Sequence, residues 1–317
     1  MGWRREPKTW GAIAVTLVLW ASAFAGIKAG MRLTPAGAPG SDGFGPGEVA
    51  LLRFGVASIV LAGYAAYTRM RLPARADLPR IAVAGLLGIT IYHLGLNFGE
   101  VRVSAGAASL LISAGPVFTA IMSVAFLRER LTATGWVGIG VAFAGVALIS
   151  LGESGGMRFE PASLLVLLAA VSTAGYFIVS KRGLRTYDPL QWTAFTIWAG
   201  TVPMLVFAPS LAAQLPDAAP SATLAVVYLG VFPAAIAYVL WSYALSRMPA
   251  SLLSTFLYLS PVLAMLVAWF WIAEVPQMLT IVGGAVAIAG VVVVQTKGQP
   301  RSSAAELARD LIEASEG

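Results

Sequence analysis

The chain has 317 residues, 58% of them hydrophobic and 11% charged, against about a quarter charged in a soluble domain; this is the composition of an integral membrane protein. The formal charge of +6 lies in short connections between apolar runs rather than in one patch, which fits membrane topology and excludes nucleic acid as a partner. With no cysteine, disulfides, thiolate-held metal and a cysteine nucleophile are excluded, and the redox compartment stays open.

A helix needs about 20 apolar residues to cross the hydrocarbon core. Ten runs qualify, near 10–30, 47–67, 80–99, 104–126, 134–151, 161–180, 190–208, 221–246, 251–272 and 279–296. Pro79, Pro161, Pro189, Pro220 and Pro276 fall at or between them, where they end helices at little cost. The first run starts after Arg4, Arg5 and Lys8 and carries Ala21-Ser22-Ala23, features shared with a cleavable signal peptide. Its apolar pattern continues through Ile27, and removing it would leave unequal halves, so we read it as a retained span. The stretch from Pro35 to Gly47 reads as an external loop. Leu307, Leu311 and Ile312 stand at helical spacing in a charged tail, which we read as a partly disordered cytoplasmic segment rather than one lying on the membrane surface.

Basic residues set the expected orientation. Sixteen fall on the side of the N-terminus, including Arg69, Arg71, Arg75, Arg80, Arg128, Arg130, Lys181, Arg182 and Arg185, against Arg32, Arg102 and Arg158 on the other. This bias predicts that both termini are cytoplasmic and that the protein sits in the inner (plasma) membrane as a multi-pass protein.

The stretch from Ser104 to Ser150 recurs between Ala250 and Gln295. Pro116 aligns with Pro261, Glu129 with Glu274, Gly138 with Gly283, Ala142 with Ala287 and Gly145 with Gly290, all at an offset of 145. The small residues recur at i, i+4 and i+7, on one helix face, where they let two backbones approach closely in lipid. Five helices per half make the second half enter the membrane from the opposite side. The expected fold is therefore all-α, ten transmembrane helices in two inverted five-helix repeats, residues 1–151 and 152–297, with a tail at 298–317. Such repeats place a substrate site at their interface near mid-membrane.

This pattern resembles the EamA branch of the drug/metabolite transporter superfamily over about residues 10–296. The resemblance is carried by Leu19-Trp20-Ala21-Ser22-Ala23-Phe24 followed by Lys28, by Leu52-Arg53-Phe54, by Ala107, Ser109-Leu110-Leu111 and Gly115-Pro116, by Arg128-Glu129 with its echo at Glu274, and by the paired glycine faces. It implies a carrier working by alternating access, with a pocket between the halves. Exporters of amino acids and metabolites belong to the superfamily, as do sugar-phosphate carriers; with only Lys28 and Arg53 in the membrane core, phosphorylated substrates are less favoured.

Ionisable groups within a membrane core are functional candidates by default. Here they are Lys28, Arg53 and His93, with Glu100 near the end of the third run. Lys28 and Arg53 lie near helix ends, where snorkelling competes with a functional role. His93, the only histidine, shares a helix face with Leu96, Asn97 and Glu100 and stands beside Tyr92; lining a pocket and sensing a proton is one reading, a neutral histidine bonded to a neighbouring carbonyl the other. Trp20, Tyr176, Tyr238, Trp241 and Tyr258 are polar-tipped aromatics inside their runs, suited to a flat or apolar side chain with an amphipathic head, or else to packing. Ser113 offers a hydroxyl nearby. Pro116 with Gly115, and Pro261 with Ser260, mark equivalent bends, read either as gate hinges or as static kinks.

No HExxH, paired intramembrane aspartates, nucleophile with base, or GxxxxGK[ST] motif occurs, so neither an enzyme nor direct ATP drive is expected, and no cofactor or metal is implied. The expected partners are a small-molecule substrate and the lipid bilayer, with protons as a candidate coupling ion. The expected function is secondary transport of small amphipathic metabolites, amino acids first. A same-fold exporter of drugs, cations or sugar phosphates, and a non-transporting scaffold or receptor subunit, are the alternatives.

Overall fold

The structure, a computed structural model, describes residues 6–32, 40–102, 111–154, 161–260, 262–263 and 278–298. Its helical stretches are α1 Pro7–Met31, α2 Pro46–Thr68, α3 Arg75–Glu100, α4 Gly115–Leu127, α5 Ala133–Ser154, α6 Ser163–Gly183, α7 Pro189–Gln214, α8 Pro220–Arg247, α9 Ala250–Leu259 and α10 Met278–Lys297. Among the described residues there is no strand. Six stretches, α1, α2, α3, α6, α7 and α8, are long and apolar enough to cross a membrane, and shorter apolar helices lie in α4, α5, α9 and α10.

Prolines open α1, α2, α7 and α8, where the missing N–H has no intrahelical partner to lose and the fixed φ suits the first turn. Asp188 adds a capping box to α7, accepting from the N–H groups of Leu190 and Gln191. Three of the long helices are not α-helical throughout. α7 contains a 3-10 segment at Val202–Phe207. α3 passes through a π segment at Leu86–Ile91 and α8 through one at Gly230–Ile236, the latter around Pro233. Pro233 cannot donate to the ladder, which gives a physical cause for the changed register there.

The small-residue faces of α5 and α10 pack on each other. A Cβ on Gly145 would meet Gly283 O and the backbone of Ala287; one on Gly290 would meet the backbone of Ala142; one on Gly138 would meet Gly290 O. The order is antiparallel, with Ala142 and Ala287 at the crossing, both fully buried. Two further close approaches match each other. Gly85 of α3 lies against Thr196 O of α7, and Gly230 of α8 against Arg53 O of α2.

Polar contacts tie the bundle at both ends. At the end where α1 begins, the Glu129 carboxylate accepts from the N–H groups of Ala250 and Ser251 and from Ser251 Oγ, capping α9. Lys181 Nζ donates to Leu245 O and Met248 O at the end of α8, and Arg182 donates to Phe126 O at the end of α4. At the opposite end Gln214 Oε1 accepts from Gly45 N, and Asp42 O from Ala219 N.

Gly290→Leu forces α5 and α10 apart, and is expected to lower stability by about 1–3 kcal/mol, seen as a lower melting temperature in detergent. Glu129→Ala removes the α9 cap and is expected to cost about 1–2 kcal/mol in the same measurement.

Candidate functional site

The two π segments bring together the side chains around His93. Lipid offers the backbone no hydrogen bonds, so carbonyls turned out of the helical ladder need partners inside the bundle. Three side chains supply them. Ser172 Oγ donates to Leu87 O at 2.7 Å, Tyr238 OH to Gly88 O at 3.3 Å, and Trp20 Nε1 to Pro233 O at 3.0 Å. Gly88 also leaves space for the ring of Tyr176, which would collide with any Cβ there.

His93 follows the first π segment and Tyr238 the second. Both are buried, and His93 Nε2 lies 2.9 Å from Tyr238 OH. The other ring nitrogen, Nδ1, is 3.5 Å from Arg53 Nη1. A guanidinium only donates, so Nδ1 is the acceptor and the proton of the neutral ring sits on Nε2. The chain of donation then runs from Arg53 through His93 and Tyr238 to Gly88 O. Arg53 does not snorkel: it is 3% exposed, with its guanidinium carbon 5.3 Å from the ring centroid of Phe54.

Aromatic rings surround this chain. Phe54 and Tyr92 lie 4.4 and 4.6 Å from the His93 ring. Trp20 lies 5.4 Å from Tyr238 and 4.9 Å from Trp241. Tyr176 is 6.1 Å from Tyr238. Edge and tilted arrangements of this kind are the favoured ones for aromatic pairs.

Six of the residues singled out from sequence thus converge: Trp20, Tyr92, His93, Tyr176, Tyr238 and Trp241. Asn97 lies one turn beyond His93, its Nδ2 donating to Pro46 O at 3.0 Å. Tyr258 is buried on α9, and among the described residues no hydrogen bond or ring contact joins it to the cluster. Ser113 is buried in the turn before α4. That turn, at Ser113 and Ala114, separates the helical residues 111–112 from α4, which Gly115 and Pro116 open. Ser260 follows a 3-10 turn at Phe256–Leu259, and Pro261 lies outside the described residues.

Arg53, Phe54 and Pro233 belong to the cluster, and sequence reasoning undervalued or missed them. Their signals are the one arginine deep in α2 with its neighbouring ring, and a proline in mid-run. The offset of 145 found in the C-terminal parts of the two halves also relates His93 to Tyr238, Gly88 to Pro233 and Gly85 to Gly230.

The sequence model of the EamA-like transporter family matches residues 9–151 and 161–296. The chain belongs to this family. The chain is 41% identical over 273 residues to an "Uncharacterized transporter YdfC" of Bacillus subtilis (strain 168), with 86% of each chain covered. A "Probable terminal-alkyne amino-acid exporter" of Streptantibioticus cattleyicolor is 39% identical over 294 residues, 92% of this chain and 95% of that one. A solved crystal structure, 20% identical, shares the fold with a TM-score of 0.72 over 91% of this chain and 96% of its own. As an EamA-like transporter the chain is a multi-pass membrane protein of a family named for transport rather than for catalysis, and its partners are a small-molecule substrate and lipid.

Tyr238→Phe leaves His93 Nε2 and Gly88 O without their partner while keeping the ring. It is expected to destabilise the protein by about 1–3 kcal/mol, measured by thermal unfolding in detergent against wild type.

Proposed function

We propose that the protein is a secondary carrier for amino acids with aromatic or apolar side chains, built as two inverted five-helix repeats, residues 1–151 and 152–297, that alternate access to a site between them. The observation that carries this reading is the pairing of His93 with Tyr238. Two residues 145 apart, each just after a π segment, meet inside the bundle. A site lined by equivalent residues of both halves is what an inverted repeat produces at its interface. The matching approaches of Gly85 to α7 and Gly230 to α2, and the mutual packing of α5 and α10, support the same relation.

The aromatic lining favours a substrate with a flat or apolar side chain, and the polar chain from Arg53 to Gly88 O favours a polar head. The one named substrate class among the relatives above, the amino acids of the Streptantibioticus exporter, agrees with this. The loops carrying Arg69, Arg71, Arg128, Arg130, Arg182 and Arg185 lie at the end where α1 begins, which supports cytoplasmic termini in a plasma membrane. In this reading the turn before Gly115-Pro116, and the Ser260-Pro261 pair that aligns with it in sequence, serve as the places where each half flexes. Ser113 lies in the turn before α4, and Tyr258 in the 3-10 turn that precedes Ser260. Coupling to protons is a secondary proposal that rests on His93.

The test is uptake of a labelled amino-acid panel into proteoliposomes containing only this protein, with and without a pH gradient, for wild type and His93→Ala. Saturable uptake of aromatic or apolar amino acids by wild type, weakened by about tenfold or more in the variant, is expected from loss of a buried hydrogen-bonded group. A folded His93→Ala variant that transports at the wild-type rate across pH removes His93 from the site, and absence of any amino-acid flux in wild type contradicts the carrier reading.

A further inference from the structure

Arg53 carries a permanent charge into the bundle; the Glu100 carboxylate attracts it from a distance but forms no ion pair with it. Among the described residues no carboxylate lies within 4.0 Å of it. Its Nε has no hydrogen-bond partner, and its Nη1 reaches His93 Nδ1 only at 3.5 Å. An isolated buried charge is among the costliest features a fold can carry, whereas a carboxylate answers the guanidinium with two parallel charge-assisted bonds.

A second set of unanswered atoms lies on α3. Asn97 and Glu100 follow His93 at i+4 and i+7, on the same helix face. Asn97 is 1% exposed; its Nδ2 is engaged by Pro46 O, and its Oδ1 has no partner. Glu100 Oε2 is buried and also unpartnered. Both are acceptors, and Glu100 is the last residue of α3, where the helix dipole already favours a cation. Lys28, in the last turn of α1, is exposed and makes no ion pair with Glu100 within 4.0 Å.

We infer that these two sets form a zwitterion clamp, in which Arg53 takes the α-carboxylate of the substrate while Glu100 and Asn97 Oδ1 take its α-ammonium. This rests on the amino-acid reading above and gives it a direction: the ammonium points toward the Glu100 end of α3, the carboxylate toward His93, and the side chain into the rings of Phe54, Tyr92 and Trp20. Bound in this way, one neutral ligand of two charges completes both unpaired groups at once. A carboxylate lacking the amine, or an amine lacking the carboxylate, leaves one of them buried and unanswered.

The experiment is competition against labelled L-phenylalanine uptake in proteoliposomes, using L-phenylalanine, L-phenylalaninamide and 3-phenylpropionate as competitors. For wild type, both blocked analogues are expected to compete about tenfold or more weakly than phenylalanine, since each loses one charge-assisted contact. Arg53→Gln is expected to lower kcat/KM for phenylalanine by about ten- to hundredfold with little change in competition by the amide, and Glu100→Gln to spare phenylpropionate in the same way. Arg53→Lys, which keeps the charge but not the fork, serves if Arg53→Gln does not fold, and is expected to lose part of the affinity for phenylalanine and phenylpropionate alone. Equal competition by all three ligands on wild type, or a uniform loss for all three in the folded variants, overturns the clamp while leaving the carrier intact. Wild-type protein that moves no amino acid at all overturns the carrier reading and the clamp with it.

Discussion

A guanidinium that cannot be deprotonated, held in the middle of an apolar helix bundle, is the interaction on which the rest of the site depends. Arg53 donates toward His93 Nδ1, which fixes the imidazole tautomer; the imidazole then donates to Tyr238, and Tyr238 to Gly88 O. Each group is buried, and each is oriented by the one before it. Removing His93 or Tyr238 strands a buried neighbour, so the links from His93 to Gly88 O stand or fall together. The aromatic rings around it exclude solvent and lipid, which strengthens these polar contacts and raises the cost of leaving Arg53 unpaired.

The backbone imposes the second constraint. Both π segments turn carbonyls out of the helical ladder, and within lipid every such group must find a donor. Trp20, Ser172 and Tyr238 are those donors, and they come from three different helices. The irregular turns of α3 and α8 are therefore where α1, α6, α3 and α8 are fastened to one another, and His93 and Tyr238 each stand just beyond one. The fastening lies inside the bundle because irregular backbone at membrane depth is tolerated only where protein or a cavity surrounds it.

Much of this was legible in the chain. Apolar run length is a direct consequence of bilayer thickness, so the six long spans were readable, and the small residues of α5 and α10 predicted a close helix contact because spacing alone puts them on one face. The aromatic centre was legible as a set because polar-tipped rings away from the interfacial belts have few other reasons to be there. What escaped was anything that depends on a change of helical period. Periodicity assumes 3.6 residues per turn, so neither π segment was visible, although Pro233 in mid-run was a signal. The same blindness left Arg53 balanced between snorkelling and burial, since depth along a helix does not say which way a long side chain turns. Tyr258 resembled the other aromatics by every sequence criterion; only packing separates it from the His93 cluster. Pro116 in mid-run was a readable signal of the turn at Ser113 and Ala114 that precedes α4, although not of its extent.

The central claim is that two related halves move about one shared site, and it is tested most directly by a distance measured across the halves. The natural chain has no cysteine, so spin labels can be placed cleanly on cysteines substituted for exposed Tyr67 at the end of α2 and exposed Arg185 beyond α6. Pulsed electron–electron resonance in liposomes is expected to show two distance populations whose ratio shifts when a transported amino acid is added. A single distance, unchanged at saturating amino acid, would contradict alternating access between the halves.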